Sequence, residues 1–193
     1  MKLYYAPGAC SLASHIALVE SGEDYDKVKV DLKTHETEDG ADFYAISPRG
    51  YVPAIDTDDI GLLTENPAVL TYLADHYGAA PSGGRRYKLL EWLGFIGTEI
   101  HGGFGPLFGG AEGDKAEAAK QAVAGKFALA AELMGDADWL LGEAPGVADN
   151  YLFVTTLWAD KFGVELPAKL ADFRARNMAR EAVNKAMSEE GLG

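Results

Sequence analysis

The sequence predicts an α/β domain followed by an all-α domain. Strand and helix patterns alternate through roughly the first eighty residues, in the order βαβ, then α, then ββα. After the Gly-rich stretch GAAPSGG at Gly78–Gly84 no strand pattern recurs, and long helical periodicities take over. The chain has 193 residues, 48% of them hydrophobic, which is enough for two small cores. These observations divide it into residues 1–78, a linker at 79–86 and a helical domain at 87–193.

The elements follow in order. Lys2–Tyr5 reads as a short strand with Leu3 and Tyr5 on one face. Leu12, Ile16 and Val19 recur at helical spacing until Ser21 and Gly22 stop the helix. DKVKVDL alternates strictly, with Val28, Val30 and Leu32 facing one way. A weaker helix fits Asp42–Ile46. VPAIDTDDIGLLTE reads as a hairpin turning at Thr57–Gly61, and Leu70, Leu73, Ala74 and Tyr77 make one stripe of the next helix. Beyond the linker, helices are expected over Arg85–Ile100, Lys115–Met134, Val147–Phe162, Pro167–Arg176 and Glu181–Glu189. Gly102–Gly113 (GGFGPLFGGAEG) follows a helix and lacks the G-x-G-x-x-G spacing, so it is expected to be a flap or a broken helix rather than a dinucleotide loop.

Seventeen Lys and Arg against 30 Asp and Glu give a formal charge of −13. Such a surface repels phosphate backbones and anionic lipid, so neither nucleic acid nor membrane is an expected partner. No apolar run approaches the ~18 residues of a membrane span, and the N-terminus lacks a signal-peptide layout. With one cysteine in the sequence, an intrachain disulfide is excluded and a reducing, cytoplasmic setting is expected. The four scattered histidines and single cysteine support no metal site.

Three stretches could carry chemistry. Cys10, in YYAPGACSLASH, stands at the first turn of a helix, where unpaired N–H groups favour a thiolate. It could be a nucleophile, a small core residue or a contact to a ligand's thiol. A dithiol site is excluded, because Ala13 occupies the third position after it. In GYVPAI, Pro53 cannot donate to a ladder, so it marks an edge or a tight turn. Either leaves the Val52 backbone open to a peptide-like ligand, although an ordinary loop proline gives the same pattern. In LLTENPAVLTYL, Asn66 reads as an N-cap and Pro67 as the first helical residue. The helix N-terminus suits a carboxylate and Glu65 an ammonium.

Taken together, KLYYAPGACSL, DLKT, GYVPAI, LTE-x-PAV and GFGPLF resemble the glutathione transferases, the bacterial beta class in particular. The resemblance spans nearly the full length. It implies a thioredoxin-like N-terminal domain, a helical C-terminal domain that forms an electrophile pocket, and a homodimer. It further implies that glutathione serves as co-substrate without a separate cofactor. Val52 and Pro53 would meet the cysteinyl part of glutathione, and Glu65 and Asn66 the γ-glutamyl end. Tyr5, Cys10 and Ser11 would lie near its sulfur, and His101 would line the cleft. His35 stands where a lysine is expected to reach the glycyl carboxylate, and Gly102 where a second lysine is expected. Lowering a thiol pKa by about two units takes ~2.7 kcal/mol, which a helix N-terminus and a hydroxyl donor could supply. Gly146 replaces the usual Ser or Thr cap, so Asp149 is expected to lack its reciprocal partner.

The implied activity is conjugation of glutathione, as its thiolate, to small hydrophobic electrophiles, a detoxification reaction. Two alternatives stand beside it: a glutathione-dependent monothiol disulfide reductase or peroxidase using Cys10, and a non-catalytic binding or regulatory module on the same fold.

Overall fold

The computed structural model describes residues 1–192. The described residues form two compact units, one made of residues 1–80 and 180–192, the other of residues 81–179.

The first unit is built on a five-stranded sheet of order β3-β2-β1-β4-β5. The strands are β1 (Lys2–Tyr5), β2 (Asp26–Asp31), β3 (Glu36–Thr37), β4 (Ala54–Thr57) and β5 (Gly61–Thr64). β1 runs parallel to β2 with Tyr4 opposite Val28, and antiparallel to β4 with Leu3 opposite Ile55. Helix α1 (Ser11–Ser21) makes the crossover that a parallel pair requires. The β4–β5 hairpin turns at Thr57–Gly61, as the sequence predicts. Alternation along β1 separates two faces. Tyr4 packs with Val30, Phe43, Val52 and Ala54, while Tyr5 points to the other side, against the ring of His15. α2 (Phe43–Ile46) is capped by Asp42, whose carboxylate accepts the Tyr44 N–H. α3 (Asn66–His76) buries Val69, Leu70 and Leu73.

Three differences from the sequence reading appear here. β3 was not anticipated, because two polar residues carry no periodicity. β2 ends at Asp31, which leaves Leu32 39% exposed rather than in line with Val30. The final helix (Glu181–Glu189) belongs with the first unit, although the sequence boundary groups it with the helical domain. It buries Val183, Ala186 and Met187. The residues after it reach under α1, where the Glu190 carboxylate meets His15 Nδ1 at 2.9 Å and accepts the Gly8 N–H at 2.9 Å. Glu189 contacts His15 Nε2 at 3.1 Å and Lys27 at 2.6 Å, and those partners hold its carboxyl below the usual range.

The second unit contains α4 (Gly84–Phe95), α5 (Gly105–Phe108), α6 (Gly113–Met134), α7 (Val147–Phe162) and α8 (Ala168–Met178); the last helix of the chain is α9. α4 widens without interruption into a π-helical segment, Ile96–His101, in which the Gly102 N–H reaches back to the Gly97 carbonyl. The Gly-rich stretch is a broken helix whose middle is α5. Phe104, Phe127 and Trp158 meet edge to face in the core of this unit. Among the described residues no helix is long and apolar enough to cross a membrane.

Gly146 gives Asp149 no side-chain partner, as expected, yet the Asp149 carboxylate is not idle. Its two carboxylate oxygens accept the N–H groups of Leu140 and Gly146, both at 2.9 Å. The carboxylate therefore keeps its half of the cap and ties the preceding loop to α7. Gly146 has φ −138°, open to any residue, and an added Cβ would come no nearer than 3.8 Å to Asp149. Gly146→Ser is thus expected to stabilise the protein by about 0.3 kcal/mol. Asp149→Ala, which strips two N–H groups of a charged acceptor, should cost about 3 kcal/mol. Urea unfolding midpoints measure both, and a silent Asp149→Ala would refute the cap.

Candidate functional site

The turn between β1 and α1 is set by its own backbone and by Ser11. The Ala9 N–H donates to the Ala6 carbonyl at 3.0 Å, and Gly8 takes φ +68° in the left-handed region. The Ser11 hydroxyl accepts the Ala6 N–H at 3.2 Å and lies 3.3 Å from the Ala6 carbonyl, to which it donates. Ser11 is fully buried, so its hydroxyl serves the turn.

Cys10 closes that turn against two other segments. Its thiol donates to the Val52 carbonyl at 3.2 Å, while its own carbonyl accepts from the Asn66 amide at 3.2 Å. The Asn66 side-chain oxygen in turn accepts from Ser14 at 3.1 Å. One buried hydrogen-bonded chain thus links the start of α1, the loop before β4 and the start of α3. The helix N-terminus was expected to favour a Cys10 thiolate, and the structure corrects this. Burial pushes the Cys10 thiol up to about 12, and the N–H groups of Cys10 and Ser11 only partly oppose it. Asn66 is corrected too: it is the first residue of α3 and a cross-link, and Glu65 occupies the cap position.

Val52 precedes Pro53 through a cis peptide bond. Among the described residues the Val52 N–H has no acceptor, which leaves one donor at the sheet margin beside Cys10. Glu65 holds φ +72°, a conformation that costs a non-glycine residue about 1–3 kcal/mol and that clusters at ligand sites. Its carboxylate pairs with Arg49, both side chains being 62% exposed. A pair that exposed is worth about 0.2–1 kcal/mol, so another cation can take Arg49's place cheaply.

His35 also has a left-handed backbone, φ +57°. Its ring lies 4.4 Å from the Tyr44 ring, and its Nδ1–H donates to the Gly50 carbonyl at 3.1 Å. Gly50 permits this approach. A Cβ there would come within 2.5 Å of the Tyr44 ring and 3.1 Å of His35 Nδ1. Tyr5 sits beside His15 and Lys27, and burial, followed by Glu190, raises its phenol pKa.

In the second unit, His101 is half-buried at the end of the π-helical segment. Its Nδ1 is 2.7 Å from the Tyr151 hydroxyl, and its ring stands edge-on to Trp158 at 4.7 Å. Burial lowers its pKa, favouring the neutral ring. Phe108, 46% exposed, contacts Trp158 and Phe162, and Lys161 lies over its ring. Among the described residues no cluster of His, Cys, Asp or Glu could hold a metal ion.

The first unit therefore brings Cys10, Val52 and Asn66 into one hydrogen-bonded chain, with Glu65 next in sequence to Asn66. Sequence reasoning missed Ser14 and Arg49. Ser14 could have been found four residues after Cys10, on the same helical face. Arg49 carries no signal of its own beyond its charge.

Residues 1–75 match the family model of the glutathione S-transferase N-terminal domain, and residues 95–181 that of the C-terminal domain. The glutathione S-transferase GstA of Escherichia coli O157:H7 is 43% identical over 203 residues, with both chains fully covered. A sphingomonad glutathione S-transferase solved in complex with glutathione superposes with a TM-score of 0.93 at 43% identity, over the whole of both chains. The beta class enzyme of Sphingomonas chungbukensis gives 0.93 at 41%, again over both full lengths. By sequence and by architecture, a thioredoxin-like domain and a helical one, the chain belongs to the glutathione S-transferase family.

Proposed function

We propose that the protein conjugates the thiolate of glutathione to small hydrophobic electrophiles, as a cytoplasmic detoxification enzyme acting as a homodimer without a further cofactor. The observation that carries this reading is the pairing of an unengaged Val52 N–H with a strained Glu65 at the start of α3. Together they suit a ligand that is peptide-like in the middle and an α-amino acid at one end. Val52 and Pro53 hold the cysteinyl part, Glu65 and Asn66 the γ-glutamyl end, and His35 a carboxylate. A full-length structural neighbour binds glutathione, which supports the assignment.

The Cys10 thiol is a poor nucleophile as it stands, which counts against the monothiol redox reading. Thiolate is the reactive form, and burial that pushes the thiol up to about 12 keeps it protonated at pH 8. The role left to Cys10 is to hold the Val52 carbonyl, so that the Val52 N–H faces the ligand.

Retention on immobilised glutathione and turnover of 1-chloro-2,4-dinitrobenzene test the proposal; a folded protein that does neither refutes it. Glu65→Ala should weaken glutathione binding about tenfold or more, the loss of a charged hydrogen bond worth ~1.5–3 kcal/mol. Calorimetric titration of that variant checks it, and an unchanged dissociation constant would sink the assignment.

Cys10→Ala should keep its conjugating rate within about tenfold. In the native protein, iodoacetamide should label Cys10 at a rate that climbs tenfold per pH unit throughout the alkaline range. That follows because a raised acid pKa leaves the thiol protonated until the pH approaches it. Labelling that levels off near pH 8 would contradict the burial argument.

α4 exposes Tyr87 at 74% and Leu90 at 43%, which supports the dimer. Light scattering at micromolar protein should report two chains; a mass of one chain would count against it.

A further inference from the structure

The ring of His35 has little freedom. Its backbone N–H donates to the Asp31 carbonyl at 2.7 Å, and its own carbonyl accepts the Phe43 N–H at 2.8 Å. The ring lies against Tyr44 at 4.4 Å, and Nδ1 is 3.1 Å from the Gly50 carbonyl. A carbonyl has no proton to give, so Nδ1 must carry one. In the neutral ring this fixes the tautomer: Nδ1 holds the hydrogen and Nε2 holds a lone pair. Among the described residues Nε2 has no partner. A lone pair repels a carboxylate, so neutral His35 offers an anionic ligand nothing at that atom. Only the imidazolium ion presents an Nε2–H donor there.

We propose that His35 makes glutathione capture proton-coupled, the ligand's glycyl carboxylate being held through Nε2–H of the imidazolium form alone. This rests on the glutathione reading above and adds a regulation to it. A lysine at the same place would bind at any physiological pH. The histidine instead takes up one proton for each ligand bound, once the pH is above the range in which free imidazole is charged. The ionisable groups on the surrounding elements are Asp31 on β2, Lys33 in the turn, Glu36 on β3, Asp42 at the cap of α2, Tyr44 on α2, and Arg49 before Gly50. The Asp31 carboxylate accepts the Lys33 and Thr34 N–H groups, the Asp42 carboxylate accepts the Tyr44 N–H, and Arg49 is paired with Glu65. Of the side-chain types present, imidazole alone ordinarily changes charge between about pH 5 and 8.

The test uses S-methylglutathione, whose blocked sulfur removes the ligand's own thiol ionisation. Titration calorimetry from about pH 5.5 to pH 8, in two buffers of different ionisation heat, reads affinity and proton uptake together. Affinity should fall about thirtyfold across that range, with uptake approaching one proton per ligand at the upper end. His35→Lys should bind with no such pH dependence and no proton uptake. The glycyl amide of S-methylglutathione should bind the native protein with the same flat profile. Tight binding of S-methylglutathione that is flat in pH would overturn this proposal and leave the glutathione reading standing. Absence of binding at every pH would overturn both. A pH dependence that persists in His35→Lys would assign the proton to another group and overturn the proposal as well.

Discussion

A carboxylate buried near the end of the chain governs the first unit. Glu190 is sealed from solvent, and it is tolerable there because one oxygen meets His15 and the other accepts the Gly8 N–H. Removing either donor would leave the buried carboxylate short of a hydrogen bond, at a cost of about 1–3 kcal/mol. The turn that carries Cys10 is therefore fastened by a residue 182 positions away. Local geometry sets the shape of that turn through Ser11 and Ala6, but its anchorage is non-local. The first unit cannot be complete until the last residues of the chain have been placed, and loop closure over that separation is slow relative to local helix formation.

The same turn shows how burial and a helix terminus compete. N–H groups at the start of α1 do favour a Cys10 thiolate, but a side chain shut away from water loses more by ionising than they return. The result is a neutral thiol whose proton is used structurally. It holds the Val52 carbonyl, while Asn66 holds the carbonyl of Cys10 itself. Three segments separated in sequence are thus positioned by weak, neutral hydrogen bonds, and the charged groups, Glu65 and Arg49, remain at the solvent edge. A recognition site for a charged ligand gains from that division, because exposed charges can exchange partners at small cost.

Much of the fold was legible because it is periodic. α7 and α9 were bounded correctly from spacing alone, and the β4–β5 turn was placed from its Asp-rich, Gly-ended sequence. β3 was not legible, being two residues whose pairing is decided by the turn after β2. The grouping of α9 with the first unit was equally hidden, because an amphipathic helix does not say which surface covers it. At the site, residue types could be read but not their states. The sequence placed Cys10 at a helix start without showing how deeply it is buried. It offered Asn66 as a cap without showing that Ser14 and Cys10 claim its amide. It gave His35 as a weaker cation without showing that Gly50 fixes its tautomer.

The widened segment at Ile96–His101 bears on chain length. A π-helical turn holds one residue more than a regular turn of similar rise. Deleting a single residue between Gly97 and Ile100 would let this stretch relax to an α-helix, with Trp92 and Phe104 still on their original faces. The same deletion in the middle of α4 would swing everything after it by about 100° around the axis. The segment is a place where the helix can absorb a one-residue change in length without passing it on.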